Sequence, residues 1–273
     1  MNPVATIGQV LNKNGIDEYA FLKTSDLKVI NERLLNNIDF KTCILFIIPY
    51  NTSGNNPTFI SKYAVPKDYH LFCSTLFENI IPELEKQFPD EKFKGFADSS
   101  PYDERDAIAK SKIGFIGDNG LVINDRYGSY VFIAEIVTTL YILFREADFM
   151  KRSTECAHCG KCSACCPTGA LVLHDYTKCL SFISQKKQKT DDEYELLYKH
   201  GTAWGCDLCQ TCCVHNKNAE YSSIPFFSED LINAPSSSEL RSMSEEQFKQ
   251  RAFSWRGRSV LIKTLEFFEG KQS

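Results

Sequence analysis

The chain has 273 residues, 43% of them hydrophobic and 24% charged, which is ordinary for a globular protein of one large or two modest domains. A formal net charge of −4 at pH 7 excludes a global basic field that would draw the chain onto nucleic acid, although local basic patches remain open. The start carries no secretory signal, and the most apolar stretch, residues 130–144, is short and contains Glu135. We therefore expect a cytoplasmic protein without a membrane segment.

The first part of the chain alternates strand and helix patterns. Residues 42–51 form a short apolar run ended by a turn, which predicts a buried strand. Residues 68–88 carry apolar side chains at helical spacing and predict an amphipathic helix, with a candidate break near Pro82.

A second short helix is predicted over residues 104–113, ending at Gly114. Residues 120–139 predict two strands joined by a turn at "NDRYG". This mixture of helices and strands predicts an α+β or α/β layered domain over residues 1–150.

Residues 151–220 are rich in cysteine and in loops, with a charged helix predicted over 187–201. Residues 221–273 predict a helical tail. There "SEEQFKQRAF" begins with a serine cap and a glutamate near the third helical position, and "RSVLIKTLEFFEG" ends on glycine.

Ten of the 12 cysteines lie between residues 156 and 213, and only Cys43 and Cys73 lie outside. The cytosol keeps thiols reduced, and such clustering favours a metal site over a disulfide framework. In the first run, Cys156, Cys159, Cys162 and Cys166-Pro167 have the spacing C-x2-C-x2-C-x3-C-P. Three thiolates at these gaps wrap one 4Fe–4S cluster, and the fourth binds the other cluster in two-cluster ferredoxins.

The second run leaves its ligands open. Cys206 and Cys209 can be joined either by Cys212, which repeats the ferredoxin spacing, or by Cys213. A zinc site built from the pairs Cys156/Cys159 and Cys206/Cys209 is the main alternative to the two clusters. Two 4Fe–4S clusters imply one-electron transfer and leave the first 150 residues to provide the remaining chemistry.

Several segments together give the chain a family resemblance. "CAHCGKCSACCPTGAL", "DYTKCLSFIS" and "WGCDLCQTCCVHN" follow one another as in the epoxyqueuosine reductases, and the chain is similar to that family upstream at "SKYAVPKDYH", "FADSSPYDERDAIAKSKIGFIGDNGLVIN" and "YGSYVFIAEI". The reductive dehalogenases resemble it more distantly. The resemblance implies a mixed α/β, nitroreductase-like corrinoid-binding domain, followed by a ferredoxin-like module with two 4Fe–4S clusters and the helical tail.

The resemblance also implies a ligand set. One cluster would be held by Cys156, Cys159, Cys162 and Cys213. The other would be held by Cys166, Cys179, Cys206 and Cys209. Cys165 and Cys212 would then be surplus thiols.

The activity implied is the reduction of epoxyqueuosine to queuosine in tRNA. A donor such as flavodoxin or ferredoxin would feed the clusters, cobalamin would act on the substrate, and an acid would supply a proton. Asp98 stands at the family's proton-donor position, and a carboxyl beside an apolar macrocycle tends to keep its proton. Without the resemblance, a turn or helix cap would be the better interpretation of Asp98.

Further residues fall in the motifs that the resemblance assigns to corrinoid and substrate, although turn chemistry alone explains most of the glycines. These candidate cofactor-binding residues are Lys67, Tyr69, His70, Gly114, Gly117, Gly128 and Ser129.

The chain also departs from the family pattern. Asp118 stands where the family has a cation, Val214 replaces a proline, the N-terminus is short, and the helical-repeat tail that helps to hold tRNA is missing. Binding of tRNA would therefore rest on basic stretches such as residues 184–189 and 249–258. Two alternatives stay open: a corrinoid reductase with a small-molecule substrate, and an iron–sulfur electron-transfer protein without corrinoid.

Overall fold

A computed structural model describes residues 2–144 and 155–272. The chain divides into two compact units, each assembled from separate stretches. We call the first, Met1–Tyr50, His70–Ala157 and Asn218–Ser223, the sheet unit. The second, Asn51–Tyr69, His158–Lys217 and Ile224–Ser273, is the cysteine unit. The sequence instead predicted three consecutive segments with boundaries near residues 150 and 220. The functions expected of these segments stay predictions.

The sheet unit is built around a four-stranded antiparallel sheet. In chain order its strands and those of a small hairpin are β1 Tyr19–Lys23, β2 Thr42–Pro49, β3 Phe93–Ala97, β4 Phe115–Ile116, β5 Val122–Ile123 and β6 Val131–Thr138. The spatial order of the large sheet is β1-β2-β6-β3. In the register, Glu135 of β6 lies opposite Leu45 of β2 on one side and Phe96 of β3 on the other.

Both faces of β2 are covered, which is why all eight of its residues are buried. The helices of this part are α1 Pro3–Lys13, α2 Tyr69–Gln87 and α3 Glu104–Ser111. Leu45 and Ile47 share a core with Ala107 and Ile108 of α3. The side chain of Phe46 points the other way along the strand, and its ring meets the ring of Phe77 in α2. The predicted buried strand is confirmed.

The predicted break near Pro82 is wrong, because α2 continues through this residue. Proline removes one backbone donor, but the buried face of the helix, with Leu76 before Pro82 and Leu84 after it, continues on both sides. Helix α3 ends at Ser111, slightly earlier than expected, because Lys112 adopts the left-handed conformation with φ +60°.

The strands predicted within residues 120–139 exist as β5 and β6, but they do not pair with each other. Strand β5 pairs with β4 in a separate hairpin, while β6 joins the large sheet. The side-chain Oδ1 of Asn124 accepts the backbone N–H groups of Arg126 and Tyr127, each at 3.0 Å. These bonds close a tight turn that redirects the chain from one sheet to the other.

The cysteine unit is helical. Its helices are α4 Lys161–Cys165, α5 Leu180–Ser184, α6 Asp191–Lys199, α7 Leu208–Thr211, α8 Ser237–Ser242, α9 Glu245–Lys249 and α10 Arg258–Gln272. Its core contains the fully buried Trp204, Phe253 and Leu261. Helix α6 confirms the predicted charged helix and begins with a capping box between Thr190 and Glu193.

The tail is helical as predicted, with two differences. Ser244 caps α9, but its reciprocal partner is Gln247 rather than a glutamate. Helix α10 does not end at Gly270 and runs on to Gln272, because Gly270 does not adopt the left-handed conformation with which a glycine ends a helix. The α+β class is confirmed. In the described residues, no helix has the length and apolarity that crossing a membrane requires.

Candidate metal centre and acid site

The cysteine-rich segment folds as short helices and turns in the cysteine unit. Helix α4 begins after Gly160, which adopts φ +70°, and carries Cys162. Helix α7 carries Cys209 and packs against α4. Cys166 directly follows α4, and Cys179 directly precedes α5. Cysteines that are far apart in the sequence therefore meet at neighbouring helix ends.

The sulfur of Cys166 lies in a loop that favours its thiolate. Burial raises the pKa of this thiol, but backbone N–H groups of Leu171, Thr168 and Ala170, together with the Thr168 hydroxyl, outweigh burial and lower it. The Cys166 Sγ to Thr168 Oγ1 distance is 3.6 Å. A thiolate is the form that binds metal, so this loop suits a cluster ligand.

Four thiols come close enough to act on one another electrostatically. Burial, with the neighbouring Cys179 and Cys166 adding to it, raises the pKa of Cys206 to about 11. Burial raises the pKa of Cys209 to about 12, with contributions from Cys206, Cys179 and Cys166. Such mutual repulsion is relieved when a cation binds between the sulfurs, so this donor set fits an iron–sulfur cluster. It is also the set that the family resemblance implies.

The other expected ligands are only partly brought together. Cys162 acts on the pKa of Cys209, and Cys213 lies one residue beyond Cys212, the C-cap of α7. Cys159 is exposed, one residue before Gly160. Cys156 belongs to the sheet unit, so its position as a ligand of the same cluster stays a prediction.

The two thiols expected to be surplus act on each other electrostatically. Burial, with the neighbouring Cys165 and Cys162 adding to it, raises the pKa of Cys212 to about 12. Cys212 Sγ lies 3.4 Å from the backbone oxygen of Lys161. Cys212 is thus close to a proposed ligand, Cys162, and Cys213 as the ligand in the second run stays a prediction.

The segment that precedes Lys67 is fastened to the loop that leads into Cys206. Ser61 donates its backbone N–H to the Trp204 oxygen at 2.7 Å and its hydroxyl to Asp207. The Lys62 backbone N–H donates to the same buried carboxylate at 2.7 Å. Gly205 adopts φ +68°, and a Cβ there would lie 2.5 Å from the Ser61 Cβ. The motif is thus held directly at a cluster loop.

Lys67 has a structural partner, since its Nζ lies 3.5 Å from Asp230 Oδ2. Arg251, which is 4% exposed, shares the same carboxylate at 2.8 Å. Tyr69 is the last residue of its stretch of the cysteine unit, and His70 the first of the next stretch of the sheet unit.

Asp98 directly follows β3 in the sheet unit. Its φ of +63° is unusual for a residue with a Cβ, and its side chain is 75% exposed. His70 Nε2 lies 3.9 Å from Asp98 Oδ2. Asp103, not Asp98, caps α3 by accepting the backbone N–H groups of Arg105 and Asp106. The exposed, strained position of Asp98 suits an acid that meets a bound molecule.

Two carboxyls that were not predicted from the sequence lie under the Asp98 loop. Glu135 has no solvent exposure, accepts the Ser100 hydroxyl, and lies 3.5 Å from the Cys43 sulfur. Glu104 is the first residue of α3, and its Oε1 is buried without a hydrogen-bond partner in the described structure. The signal that could have found Glu135 is a carboxylate in a strand that is otherwise apolar.

Both carboxyls have perturbed acidity. Burial raises the pKa of Glu135 to about 7, against the opposing hydrogen bonds from Ser100 and Cys43. Burial raises the pKa of Glu104 to about 7 as well, and the charges of Glu135 and Asp98 add to the effect. Near neutral pH each carboxyl is thus present in both its protonated and its ionised form.

The glycines of the later motifs are explained by the chain itself. A Cβ at Gly114 would lie 2.8 Å from the backbone oxygen of Ile123, and one at Gly117 would lie 2.7 Å from the Ile123 side chain. Gly128, with φ +60°, closes the turn that begins at Asn124. These contacts lie within the hairpin and the turn, so they account for the glycines without a cofactor. A corrinoid contact by these glycines stays a prediction. Ser129 is buried beside Gly128, and Asp118 is exposed in the β4–β5 turn.

The comparisons with known proteins agree with these sites. Residues 155–216 match the family described as "4Fe-4S double cluster binding domain". The epoxyqueuosine reductase of Gloeobacter violaceus is 30% identical over 223 residues, which cover 77% of this chain and 69% of that protein. The chain belongs to the epoxyqueuosine reductase family. The Staphylococcus aureus family member is also 30% identical, and the match covers 78% of this chain and 57% of that protein.

Solved structures of the family share the fold. An epoxyqueuosine reductase bound to an epoxyqueuosine-modified tRNA-Tyr stem loop aligns with a TM-score of 0.76 and 21% identity, covering 98% of this chain and 81% of that one. The Bacillus subtilis epoxyqueuosine reductase, with its catalytic aspartate loop swung out of the active site, gives a TM-score of 0.76 and 20% identity over 98% and 82% of the two chains. A catabolic reductive dehalogenase aligns at a TM-score of 0.47 and 12% identity, and no inference rests on it.

Family membership confirms three expectations from the sequence. The chain is an oxidoreductase of the epoxyqueuosine reductase family, its fold is that of the family, and its cysteine segment is a double 4Fe–4S segment. The zinc alternative is therefore set aside. The chain spans 57% of the length of the Staphylococcus aureus relative, so the substrate and partners of this chain are proposals.

Proposed function

We propose that this chain reduces epoxyqueuosine to queuosine in tRNA, with two 4Fe–4S clusters and cobalamin as cofactors and Asp98 as the proton donor. The observation that carries the proposal is the Asp98 loop, where an exposed carboxyl is held in a left-handed backbone conformation at the end of a buried strand. The names of the relatives supply the substrate class.

The reaction requires two electrons and two protons, because opening an epoxide to an alkene releases its oxygen as water. The two clusters held by the cysteine segment would supply these electrons one at a time. Cobalamin, which family membership implies, would supply a reducing metal centre when bound. Asp98 gives one proton to the departing oxygen, and His70, 3.9 Å from its carboxylate, is placed to influence that proton.

The proposed cluster ligands are those expected from the sequence. Cys166, Cys179, Cys206 and Cys209 hold one cluster, which is supported by the electrostatic proximity of their sulfurs. Cys156, Cys159, Cys162 and Cys213 hold the other. A small donor such as flavodoxin or ferredoxin reduces them, and we expect the reaction to take place in the cytoplasm.

The basic stretches expected to bind tRNA are partly engaged within the protein. Arg251 pairs with Asp230, and Arg258 donates to the backbone oxygens of Leu240 and Met243. Trp255 is 60% exposed, and the guanidinium of Arg256 lies 3.9 Å from its ring centroid. An exposed indole backed by arginine suits stacking on an unpaired base, so we place the tRNA contact of the tail at Trp255.

The test uses protein reconstituted anaerobically with iron, sulfide and cobalamin, and desalted before its absorption spectrum is recorded. The protein is then incubated with a chemical reductant and tRNA that carries epoxyqueuosine, and the nucleosides are measured by mass spectrometry. We expect queuosine to form, and Asp98→Asn to lower the rate by about 100-fold or more. Asp90→Asn, which changes an exposed carboxyl in the loop before β3, is the matched control.

The alternatives predict different outcomes. Retained corrinoid without queuosine formation would favour a small-molecule substrate. A protein that retains no corrinoid, and whose electron transfer is unaffected by Asp98→Asn, would be an electron-transfer protein, and the proposal would be wrong.

A further inference from the structure

Four large hydrophobic side chains are exposed on one short segment of the cysteine unit. They are Val172, Leu173, Tyr176 and Phe182, and their exposed fractions lie between 36% at Phe182 and 72% at Tyr176. Single exposed hydrophobic residues are normal on a protein surface, but a group of them on one segment indicates a surface that another molecule covers. We call these four residues the apolar patch.

The segment that carries the apolar patch is ordered by its own contacts. The backbone N–H of Leu173 donates to the oxygen of Gly169 at 2.9 Å, and that of Cys179 donates to the oxygen of Tyr176 at 3.0 Å. The rings of Tyr176 and Phe182 meet edge to face, with their centroids 5.4 Å apart. The hydrophobic side chains are therefore exposed on a defined series of turns.

The apolar patch lies next to two proposed ligands of the same cluster. Cys166 precedes the segment, and Cys179 lies within it, between Tyr176 and Phe182. The hydrogen bond from Cys179 to Tyr176 connects the ligand directly to the patch. A molecule that covers the patch is therefore close to a place where electrons can enter the protein.

The charge of this part of the chain is positive, although the chain as a whole is acidic. Residues 158–190 contain five lysines and one aspartate, whereas the whole chain has a net charge of −4. Lys178 and Lys187 are exposed, and the one aspartate, Asp175, accepts the backbone N–H of Thr177 at 3.0 Å. A positive surface with an apolar centre is complementary to an acidic protein partner.

We propose that the apolar patch, together with Lys178, is the docking surface for an acidic protein that carries single electrons on a flavin or an iron–sulfur group. In each encounter one electron passes from the reduced carrier to an oxidised cluster, and no covalent bond forms or breaks. Two encounters supply the two electrons that the proposed reaction requires. The inference rests on the proposed function, which sets this need for electrons, and on the proposed cluster ligands.

The side chains of the patch favour a protein carrier over the other candidate occupants. The same positive charge would attract tRNA, but RNA is bound through phosphate contacts, hydrogen bonds and stacking, for which Val172 and Leu173 offer neither a polar group nor a ring. A stable dimer would need a larger interface than four side chains provide. Electron-transfer partners meet through small, short-lived interfaces, which a patch of this size suits.

The test uses the chain reconstituted with its clusters, without cobalamin or tRNA. A purified acidic [2Fe–2S] ferredoxin and a purified flavodoxin are examined separately. Each oxidised carrier is titrated into the protein by calorimetry at low salt, and each reduced carrier is mixed with the protein in an anaerobic stopped-flow spectrometer. For at least one carrier we expect binding and cluster reduction, and both should weaken as salt is added.

Two variants change the proposed surface. The double variant Val172→Ser, Tyr176→Ser should raise the Kd of the carrier and lower the second-order rate constant of cluster reduction, each by about tenfold. Lys178→Glu should have a similar effect at low salt and should reduce the dependence of the rate on salt. If the double variant loses iron, Lys178→Glu alone decides.

Two matched controls change exposed residues of the sheet unit. Tyr221→Ser removes an exposed aromatic ring, and Lys86→Glu reverses an exposed charge on α2. Both should match the unsubstituted protein in affinity and rate. Dithionite, a small reductant that needs no docking surface, should reduce all of these proteins at the same rate.

Several outcomes would overturn the docking surface. One is an unchanged affinity and rate in both surface variants, and another is a failure of both carriers to reduce clusters that dithionite reduces. Weaker tRNA binding by the surface variants, with unchanged carrier rates, would assign the surface to tRNA. Loss of self-association in sedimentation, again with unchanged carrier rates, would assign it to a second copy of the chain.

The docking surface and the proposed function can fail separately. Slower reduction by the carrier in both surface variants, in a protein that forms no queuosine, supports the docking surface and overturns the proposed function. Queuosine formation driven by dithionite, together with unchanged carrier rates in the surface variants, supports the proposed function and overturns the docking surface.

Discussion

The hydroxyl of Ser100 donates a hydrogen bond to the carboxylate of Glu135, a side chain with no solvent exposure at the centre of the sheet. This bond connects the loop that carries Asp98 to the core of the sheet unit. A buried acid in such a place affects stability as well as loop geometry, and the sign of its effect follows from its pKa.

Glu135→Gln should stabilise the protein at alkaline pH. The pKa of Glu135 is raised from 4.5 to about 7, so the folded protein binds more protons than the unfolded chain between these values. The free energy of unfolding therefore falls as the pH rises through this window. Removing the charge should add about 1–3 kcal/mol at pH 8 and little at pH 5.

The measurement is denaturation of the reconstituted protein under anaerobic conditions at both pH values, followed by circular dichroism. Glu85→Gln is the control for a change at an exposed site. A variant that is equally destabilised at both pH values would show that Glu135 is ionised and needed in the folded state.

Cys213→Ser and Cys212→Ser should differ in iron content although the residues are neighbours. Cys213 is the proposed ligand, whereas the Cys212 thiol donates to the Lys161 backbone oxygen. Cys213→Ser should lose or destabilise one cluster, which lowers iron from about eight to about four atoms per chain, and Cys212→Ser should keep both clusters. Iron and sulfide analysis of the purified proteins checks this, and the reverse pattern would exchange the roles of the two thiols.

Gly205→Ala should damage the loop that leads to Cys206. Gly205 has φ +68°, and the new Cβ would lie 2.5 Å from the Ser61 Cβ, so both the backbone and the packing resist the change. We expect a loss of about 1–3 kcal/mol in the free energy of unfolding, with weaker retention of iron. Gly270→Ala in α10, which has open space around it, should instead gain about 0.5–1 kcal/mol. Denaturation curves of both variants test the pair, and an unaffected Gly205→Ala would contradict the tight contact.

Trp255→Ala should weaken tRNA binding without affecting stability. The indole is 60% exposed and stacks with Arg256, so its removal costs no core packing. Loss of one stacked base should raise Kd about tenfold in a filter-binding or fluorescence measurement at fixed salt. Tyr221→Ala, at an equally exposed aromatic residue, is the control. If both variants bind tRNA as the unsubstituted protein does, the contact lies elsewhere.

Much of the metal chemistry could be read from the sequence because cluster ligands follow local spacing. The run from Cys156 to Cys166 is short, so its residue gaps alone predict the type of cluster that the segment binds. The buried strand β2 was predictable for a similar reason, since an unbroken apolar run is a local property. The expected break at Pro82 failed because packing of α2 outweighs the local cost of proline.

Contacts between distant residues could not be predicted in this way. The proximity of Cys165 and Cys212 depends on α4 packing against α7, and the pairing of β5 with β4 depends on the turn at Asn124. Neither contact leaves a periodic pattern in the sequence, because each depends on where two remote segments meet.

The sequence by itself determined the double 4Fe–4S segment and the family, since both depend on short motifs of neighbouring residues, while Asp98 as the acid stays a prediction from the family resemblance. Only the tertiary structure decided that Glu104 and Glu135 lie beneath the Asp98 loop. The raised pKa values of both carboxyls and the bond from Ser100 to Glu135 depend on contacts across β6, α3 and the loop, and burial exists only once those elements have packed together.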